Sequence, residues 1–233
     1  MTNTTVNSNG LAWAAAQQHL SRVDPVLAEL IAKVGQCTLT PRKGYFSSLA
    51  HAMINQQIST AAARSIWKRF RGLFAARRPS PGALLKLSDA QLRAAGISPQ
   101  KTGYLRSLAS AFATGAVPIR RLGKMSDEEV IQALLPIKGI GRWTAEMFLI
   151  FVLNRTDLLP VDDLGLCNQA RRTYGFKKYP TAKRMIALAE KWRPYRSIAT
   201  WYLWRGSALI RPVAKSPPPA SSRGRSKGPS RAR

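Results

Sequence analysis

Hydrophobic residues recur at helical spacing along most of the chain. Asp24-Pro25 is typical of an N-cap followed by proline at the first helical position, and the apolar residues of 26–34 then fall on one helical face. The same spacing returns in residues 46–54 and 66–74. Sustained alternation of apolar and polar residues, which is typical of half-buried strands, is absent from the sequence. The pattern therefore predicts an all-α fold.

Capping signals mark further helices. Ser88 with Gln91 and Ser126 with Glu129 each have the spacing of a capping box, in which the two residues bond each other's backbone amides. The remaining predicted helices cover residues 98–115, 142–154, 163 onward, 181–192 and 195–210.

The two ends of the chain have compositions that disfavour a packed core. Residues 1–12 are rich in Asn, Thr and Ser, and we predict a flexible N-terminus over residues 1–18. Three prolines at 217–219 precede a stretch of Ser, Arg and Gly, so residues 213–233 are predicted to be a disordered basic tail.

The charge of the chain indicates a polyanionic partner. Thirty-seven Lys and Arg face eleven Asp and Glu, which gives a net charge of +26. Nucleic acid is the favoured partner and an anionic membrane surface is the alternative. The longest purely apolar run, residues 147–153, is far too short for a membrane span, and two cysteines exclude a disulfide framework or a four-cysteine metal site.

The stretch from residue 126 to 166 carries the candidate chemistry. At its centre is a turn between two predicted helices, in which Gly139 and Gly141 flank Ile140 and the basic residues Lys138 and Arg142 stand on either side. Glycines permit a close backbone approach, and the free amides of a helix N-terminus favour an anion. We interpret the turn as a DNA phosphate grip that is blind to sequence. The alternative is an ordinary corner between helices that needs glycine for its shape.

An acidic pair, Asp162 and Asp163, follows this turn. A carboxylate near the sugar C1′ would stabilise the positive charge that develops when an N-glycosidic bond breaks. The alternative is that one acid caps the helix that begins here. Both interpretations can hold together, with Asp162 as the cap and Asp163 in the site. His51 lies on an apolar helix face, and we interpret it as a packed histidine rather than a second catalyst.

Tryptophans flank the same region. Trp143 opens the helix after the turn, and Trp201 and Trp204 lie in the last predicted helix. Core packing is the simplest interpretation of a helical tryptophan. Beside a DNA-binding turn, however, an indole could stack on an extruded base, and a cationic alkylated base would add about 1–2 kcal/mol of attraction.

Four motifs, in order and at the right spacing, are similar to those of one known family. They occupy residues 54–59 (Ile-Asn-Gln-Gln-Ile-Ser), 138–145 (Lys-Gly-Ile-Gly-Arg-Trp-Thr-Ala), 160–165 (Pro-Val-Asp-Asp-Leu-Gly) and 190–197 (Glu-Lys-Trp-Arg-Pro-Tyr-Arg-Ser). The chain thus resembles the helix-hairpin-helix (HhH-GPD) DNA glycosylases, specifically the DNA-3-methyladenine glycosylase II branch. The resemblance implies an all-α, two-lobed fold over residues 19–212 with the active site in the cleft. One lobe would comprise about residues 19–43 and 155–212, and the other about 44–154 with the hairpin at 135–142.

The resemblance also implies roles for the candidate residues. Asp163 would be the catalytic carboxylate, and it follows Trp143 by the twenty residues that bacterial members of the family show. Trp143 and Trp204 would wall the pocket for the damaged base. The Gln56-Gln57 loop would fill the gap left by the flipped base, with Gln57 at a position where relatives often have leucine. The implied DNA contacts are Gln56, Gln57, Ser59, Lys138, Gly139, Ile140, Gly141, Arg142 and Thr144.

Two departures from related branches narrow the expected activity. Bifunctional members have a lysine at the position of Trp143, where it forms a Schiff base, so we expect a monofunctional enzyme that leaves an abasic site. Two cysteines cannot supply the iron–sulfur cluster of the endonuclease III-like branch. The expected reaction is hydrolysis of alkylated purines such as 3-methyladenine and 7-methylguanine. Alternatives are a glycosylase for hypoxanthine or a mismatched base, and a non-catalytic DNA-binding protein.

The expected partners follow from the same resemblance. We expect a monomer that binds double-stranded DNA with damaged bases and does not bind membranes. No cofactor or catalytic metal is expected, although family hairpins can hold Na⁺ or K⁺ on loop carbonyls. The expected compartment is the cytoplasm, on the nucleoid if the protein is bacterial, or the nucleus if it is eukaryotic.

Overall fold

The computed structural model describes residues 8–206, and all regular secondary structure in that part of the chain is helical. This confirms the predicted all-α class. The α-helices are α1 Ser8–Val23, α2 Pro25–Val34, α3 Tyr45–Asn55, α4 Thr60–Gly72, α5 Pro81–Lys86, α6 Asp89–Ala94, α7 Pro99–Ala113, α8 Asp127–Leu134, α9 Arg142–Phe151, α10 Leu164–Thr173, α11 Ala182–Ala189 and α12 Arg196–Gly206, with 3-10 turns at Ala75–Arg77 and Glu190–Trp192.

The predicted caps start the helices as expected. Asp24 accepts hydrogen bonds from the amides of Val26 and Leu27 at the start of α2. Ser88 and Ser126 form the two capping boxes in full, each with its partner three residues later. These local bonds confirm that short-range sequence signals set the helix boundaries.

The prediction of a flexible N-terminus was wrong for residues 8–18, which lie in α1. Trp13 is buried on the inner face of this helix, and Ala16 and Leu20 continue that face. The indole Nε1 of Trp13 donates to the carbonyl oxygen of Leu39 at 2.8 Å. The spacing of these apolar residues is helical, but the polar composition of the first ten residues concealed it. The short helix α5 was also not predicted.

The helices pack in two sets around one contiguous hydrophobic core. Helices α1, α2, α10 and α12 contact one another, and helices α3 to α9 make their main contacts among themselves. This arrangement positions three elements that matter below: the α3–α4 loop, the turn between α8 and α9, and the start of α10. The lobe boundaries suggested by the sequence remain predictions.

The C-terminal predictions extend past the described chain. Helix α12 is described to Gly206, so its predicted continuation to residue 210 and the predicted basic tail at 213–233 lie outside the described residues. None of the helices in residues 8–206 is long and apolar enough to cross a membrane.

Candidate active site

The turn between α8 and α9 has its two glycines in different conformations. Gly139 has a φ of +88°, a left-handed conformation that favours glycine, and a Cβ built there would clash with the ring of Tyr104. Gly141 has a φ of −97° and open space where its Cβ would be, and it begins α9 without a side-chain cap. Gly139 therefore serves the shape of the turn, whereas Gly141 leaves the amide end of α9 open to a ligand.

The α3–α4 loop is braced against this turn. The Nε2 of Gln56 donates to the carbonyl oxygen of Gly139 at 3.0 Å and lies 3.4 Å from Oγ1 of Thr144. The ammonium of Lys101 donates to the carbonyl oxygens of Ile54 and Gln56 at 2.6 and 2.8 Å. The two candidate DNA-binding loops are thereby held in one fixed relation.

Gln57 and Ser59 occupy the outer side of the same loop. Gln57 is exposed and has a φ of +58°, so its side chain projects from a tight bend. Ser59 is the N-cap of α4, with its Oγ accepting from the amide of Ala62 at 3.3 Å.

Several predicted DNA contacts have other side-chain partners. The side chains of Ile140 and Thr144 are buried, so only backbone atoms of Ile140 could meet a phosphate, and the amide of Gln56 is used by the hairpin. Arg142 lies 2.8 Å from Glu128 and 3.5 Å from Glu146. Packing within the protein therefore uses the side chains of Ile140, Thr144 and Gln56, and the DNA contacts of these residues remain predictions.

The carboxylate of Asp163 is held by three hydrogen-bond donors. Its Oδ2 accepts from Nε1 of Trp143 at 2.6 Å, and its Oδ1 accepts from Nε1 of Trp204 at 3.0 Å and from the amide of Leu166. The residue is 8% exposed. Two indole edges from α9 and α12 thus fix one carboxylate at the start of α10.

The expectation that Asp162 caps α10 while Asp163 lies in the site was wrong. Asp163 itself is the N-cap of α10, since the amide of Leu166 donates to it. Asp162 is exposed. A single carboxylate combines the capping role and the bonds to both tryptophans.

A cavity of about 650 Å³ lies between α3 and α9, and its lining includes Trp143, the hydrogen-bond donor to this carboxylate. Trp143, Met147 and Phe151 lie at successive helical turns of α9 and form one wall, and His51 and Asn55 of α3 line the other. Trp143 is 44% exposed, so a large indole surface is open to a ligand. Apolar and aromatic walls with a few polar groups are typical of a ligand site.

Trp204 is not among the residues that line this cavity, and its place in the pocket wall remains a prediction. It stacks on Phe151 with ring centroids 5.7 Å apart and 22° between the planes. Asp163 is also not among the lining residues, but its carboxylate accepts a hydrogen bond from Trp143, which is one of them. In this conformation Trp204 supports the wall and holds the acid.

His51 is half-buried and packed, as interpreted from the sequence, and it also lines the cavity. Its ring lies edge-on to Trp67 at 4.7 Å between centroids and is within 3.2 Å of the Asn55 amide nitrogen. Burial, together with the positive charge of Arg42, lowers the pKa of His51, so the imidazole is neutral near pH 7. A neutral His51 adds a polar contact to the cavity without adding charge.

Glu146 is a buried carboxyl group behind the hairpin. It is 7% exposed, and burial raises its pKa to about 7, against the opposing effect of Arg142. No sequence motif pointed to this residue, because its burial depends on the packing of α9.

Glu146 predicts a pH dependence of folding. The pKa of Glu146 in the folded state lies above its ordinary value of 4.5. The stability that this group contributes to the folded state is therefore fully present below pH 4.5 and is lost as the pH rises through 7. We expect the free energy of unfolding to fall by roughly 3 kcal/mol over this window on account of Glu146. Glu146→Gln should remove that fall in urea titrations at pH 5 and pH 8. Glu128→Gln, which alters an exposed partner of the same Arg142, is the control; an identical pH slope in wild type and Glu146→Gln would contradict the prediction.

The candidate ligands for a cation are the acidic side chains and the carbonyl oxygens of the hairpin. No group of three or more His, Cys, Asp or Glu among residues 8–206 is arranged to hold a metal ion. At the turn, the carbonyl oxygens of Ile137 and Gly139 accept from the amide of Ile140 and from Gln56. A monovalent cation would have to share these oxygens, and it remains a prediction.

The elements that sequence motifs did not reveal are those fixed by tertiary packing. Met147 and Phe151 could have been found from their spacing of four residues after Trp143, and Asn55 from its spacing after His51. The bonds from Gln56 to the hairpin and from Lys101 to the α3–α4 loop have no local signal, because the partners are distant in sequence.

The all-helical fold, the glycine turn and the carboxylate held by two indoles define a helix-hairpin-helix protein. Residues 50–194 match the family described as HhH-GPD superfamily base excision DNA repair protein. Since this match covers more than half of the chain, the chain belongs to that family.

Individual relatives agree with the family assignment. The Schizosaccharomyces pombe protein named alkylbase DNA glycosidase-like protein mag2 is 35% identical over 204 residues, covering 85% of this chain and 96% of the relative. DNA-3-methyladenine glycosylase 1 of the same organism is 36% identical over 199 residues, covering 83% and 87%. The solved structure of S. pombe 3-methyladenine DNA glycosylase in complex with abasic DNA has a TM-score of 0.77 and 36% identity, covering 84% of this chain and 97% of that one.

Proposed function

We propose that this chain is a monofunctional DNA glycosylase that hydrolyses the N-glycosidic bond of alkylated purines in double-stranded DNA and leaves an abasic site. The observation that carries the proposal is the joint arrangement of Trp143 and Asp163. One face of the indole borders the cavity, and its edge donates to the carboxylate. A base stacked on this face would bring its sugar toward the carboxylate. The names of the relatives, which refer to alkylbase and 3-methyladenine glycosylases, support the same reaction.

The cavity suits a flipped, alkylated purine. A volume of about 650 Å³ is large for one base and leaves room for the sugar. Trp143, which is 44% exposed, offers an electron-rich face to a base that carries positive charge. His51 adds no charge because its lowered pKa keeps it neutral, but Arg42 brings a positive charge to the cavity, with its guanidinium 5.2 Å from the ring centroid of Phe151. Stacking on Trp143 therefore carries the preference for a cationic purine, against the opposing charge of Arg42.

Bond cleavage then needs little acid catalysis. When the bond between C1′ and the purine nitrogen breaks, its electron pair returns to the base, and a cationic purine leaves as a neutral molecule. The carboxylate of Asp163 stabilises the positive charge that develops on the sugar. Water then adds to C1′, and its proton passes to a base such as this carboxylate.

The absence of an amine at the cavity supports a hydrolase rather than a lyase. A lyase of this family uses a lysine to form a Schiff base with the sugar, and the corresponding residue here is Trp143. No lysine is among the residues that line the described cavity. Water is thus the available nucleophile.

The DNA would be held by backbone amides rather than by many side chains. The uncapped start of α9 at Gly141 offers free N–H groups and the positive end of the helix dipole. The exposed Lys138 adds a cation beside it, and the exposed Gln57 fills the space that the flipped base vacates.

The two hairpin glycines provide a matched pair of variants. Gly139→Ala should lower the free energy of unfolding by roughly 2 kcal/mol, because it forces a side chain into a left-handed backbone and against Tyr104. Gly141→Ala should leave stability unchanged, because its φ is ordinary and its Cβ meets no atom. It should instead weaken DNA binding by placing a methyl group where the phosphate approaches. Urea unfolding and fluorescence anisotropy would measure the two effects; equal stability of both variants would contradict the assignment.

The proposed reaction can be tested with defined oligonucleotide duplexes. Each duplex would hold 7-methylguanine, 3-methyladenine, hypoxanthine or a mismatched base, and products would be separated with and without alkali. We expect strand breaks at the alkylated purines only after alkali, since an abasic site is stable until then. Breaks without alkali would overturn the monofunctional assignment. Release of hypoxanthine alone would change the substrate, and no release from any duplex despite tight binding would indicate a non-catalytic protein.

A further inference from the structure

A second cavity of about 650 Å³ lies at the other end of α3, away from the α3–α4 loop. Five basic residues line it and no acidic residue does: Arg42, Lys43, Arg71, Arg77 and Arg78. We call this group the basic cavity. It shares Arg42 and His51 with the cavity beside Trp143, so the two adjoin along α3.

The five cations of the basic cavity have no acidic partners in the described part of the chain. Other cations of the described chain do have acidic partners, as in Arg106 with Asp89 or Arg196 with Asp157, although the acids are too few to pair most of them. None of the five takes part in an ion pair between residues 8 and 206. Five like charges around one concavity repel one another, so the arrangement favours a bound polyanion.

The backbone that carries two of these arginines is strained. Ala76 and Arg77 have φ values of +51° and +55°, a conformation that residues other than glycine rarely adopt. The carbonyl oxygen of Arg77 accepts from Nε of Arg71 at 3.0 Å, which ties this turn to the end of α4. Strain of this kind persists where the surrounding structure requires it, often at a binding site.

The opposite side of the basic cavity is formed by the start of α3, where backbone amides add partial positive charge. Gly44 and Ser47 line it at the start of α3, and the N-cap Gly44 makes no side-chain capping bond. The amide end of this eleven-residue helix therefore adds partial positive charge to that of the five side chains.

We propose that the basic cavity is a second phosphodiester-binding site, separate from the hairpin, that holds nucleic-acid backbone. This inference extends the DNA contact beyond the site of the proposed glycosylase reaction. The phosphodiesters could belong to the same duplex that occupies the hairpin or to a separate DNA segment. Both sources supply the same phosphodiester anions, but they predict different numbers of duplexes bound per protein.

The test compares two double variants of the full chain. Lys43→Gln with Arg78→Gln removes two exposed cations of the basic cavity but leaves Arg71, which holds the strained turn. Lys177→Gln with Lys178→Gln removes two exposed cations between α10 and α11, in the other set of helices, and serves as the control for net charge. Circular dichroism and melting would verify that both variants fold.

The first readout is the salt dependence of binding to undamaged DNA. The slope of log K against log salt should fall by about 2 in the cavity variant, since each lost phosphate contact contributes about 0.9. Its affinity at moderate salt should fall roughly tenfold, and the control should change much less. A slope equal to that of the wild type, or an equal change in both variants, would overturn the proposal.

The second readout identifies the source of the phosphodiesters. In titrations with duplexes of about one helical turn, a separate segment predicts two duplexes per wild-type protein and one per cavity variant. A continuous duplex predicts one in both cases, with the affinity difference arising only for longer DNA. The undamaged DNA makes both readouts independent of base release, so failure of the proposed reaction would leave this test intact. Where base release is observed, its single-turnover rate at saturating protein should be the same in the cavity variant.

Discussion

Asp163→Asn is expected to lower the single-turnover rate of 7-methylguanine release by about a thousandfold. The substitution removes the negative charge that would stabilise the sugar cation, while the remaining side-chain oxygen can still cap α10. The amide nitrogen would face Nε1 of Trp143, where two donors oppose each other in place of the 2.6 Å bond. Chromatography of the free base under excess protein would measure the rate.

Two further variants separate charge from geometry. Trp143→Phe in the wild-type background removes the indole donor and keeps the carboxylate, so it should cost far less than Asp163→Asn if charge is the main effect. Asp162→Asn alters an exposed carboxylate of the same charge and should leave the rate within a few-fold of wild type. A larger loss with Asp162→Asn would move the catalytic assignment to that residue.

Asp24→Ala is expected to lower the free energy of unfolding by about 3–5 kcal/mol. The carboxylate is fully buried and joins three elements of the first helix set. It caps α2, accepts from the hydroxyl of Tyr174 at 2.7 Å and from Nε1 of Trp192 at 2.8 Å, and lies 3.1 Å from the ammonium of Lys191. Its loss would leave these buried donors without an acceptor, which is why the cost exceeds that of an ordinary cap.

The measurement for Asp24 is thermal and urea unfolding at neutral and acid pH. A loss of this size corresponds to a fall in melting temperature of roughly 10 °C for a domain of this length. Glu29→Gln, which breaks an exposed pair with Lys33, is the control and should leave the melting temperature unchanged. A fall no larger than that of the control would contradict the assigned role.

The same residue predicts acid sensitivity. Burial would raise the pKa of Asp24, but hydrogen bonds from Tyr174, Trp192 and Lys191 outweigh it, so the pKa lies below the ordinary 3.8. The stability it contributes is therefore present above pH 4 and is lost as the pH falls through the folded-state pKa. Asp24→Asn should reduce this acid-dependent loss.

Local chemistry explains how much of the fold could be predicted. Caps such as Asp24 and Ser126 act within three residues, and the structure has the bonds that their spacing predicts. Helix α1 was missed because its buried face, with Trp13 and Leu20, depends on contacts with distant parts of the chain. The helical spacing of the apolar residues in α1 was too weak a signal to predict this helix, because the first ten residues of the chain are polar.

In the site, too, local spacing predicted some contacts, and packing between distant helices determined the others. The spacing from Trp143 to Asp163 indicated that the two belong together, and their side chains are in contact. The bond from Trp204 to the carboxylate, the bracing of the hairpin by Gln56 and the burial of Glu146 arise from packing between separate helices. Nothing in the local sequence encodes them, because each depends on which helices become neighbours.

The most direct test of the central claim is base release from methylated double-stranded DNA by the wild-type protein. Free 3-methyladenine and 7-methylguanine would be quantified by chromatography, with a reaction lacking protein to measure spontaneous loss. The proposed function predicts free alkylated purines well above the spontaneous amount, together with strands that remain intact until alkali is added. Release no faster than the spontaneous rate, from DNA that the protein demonstrably binds, would contradict it.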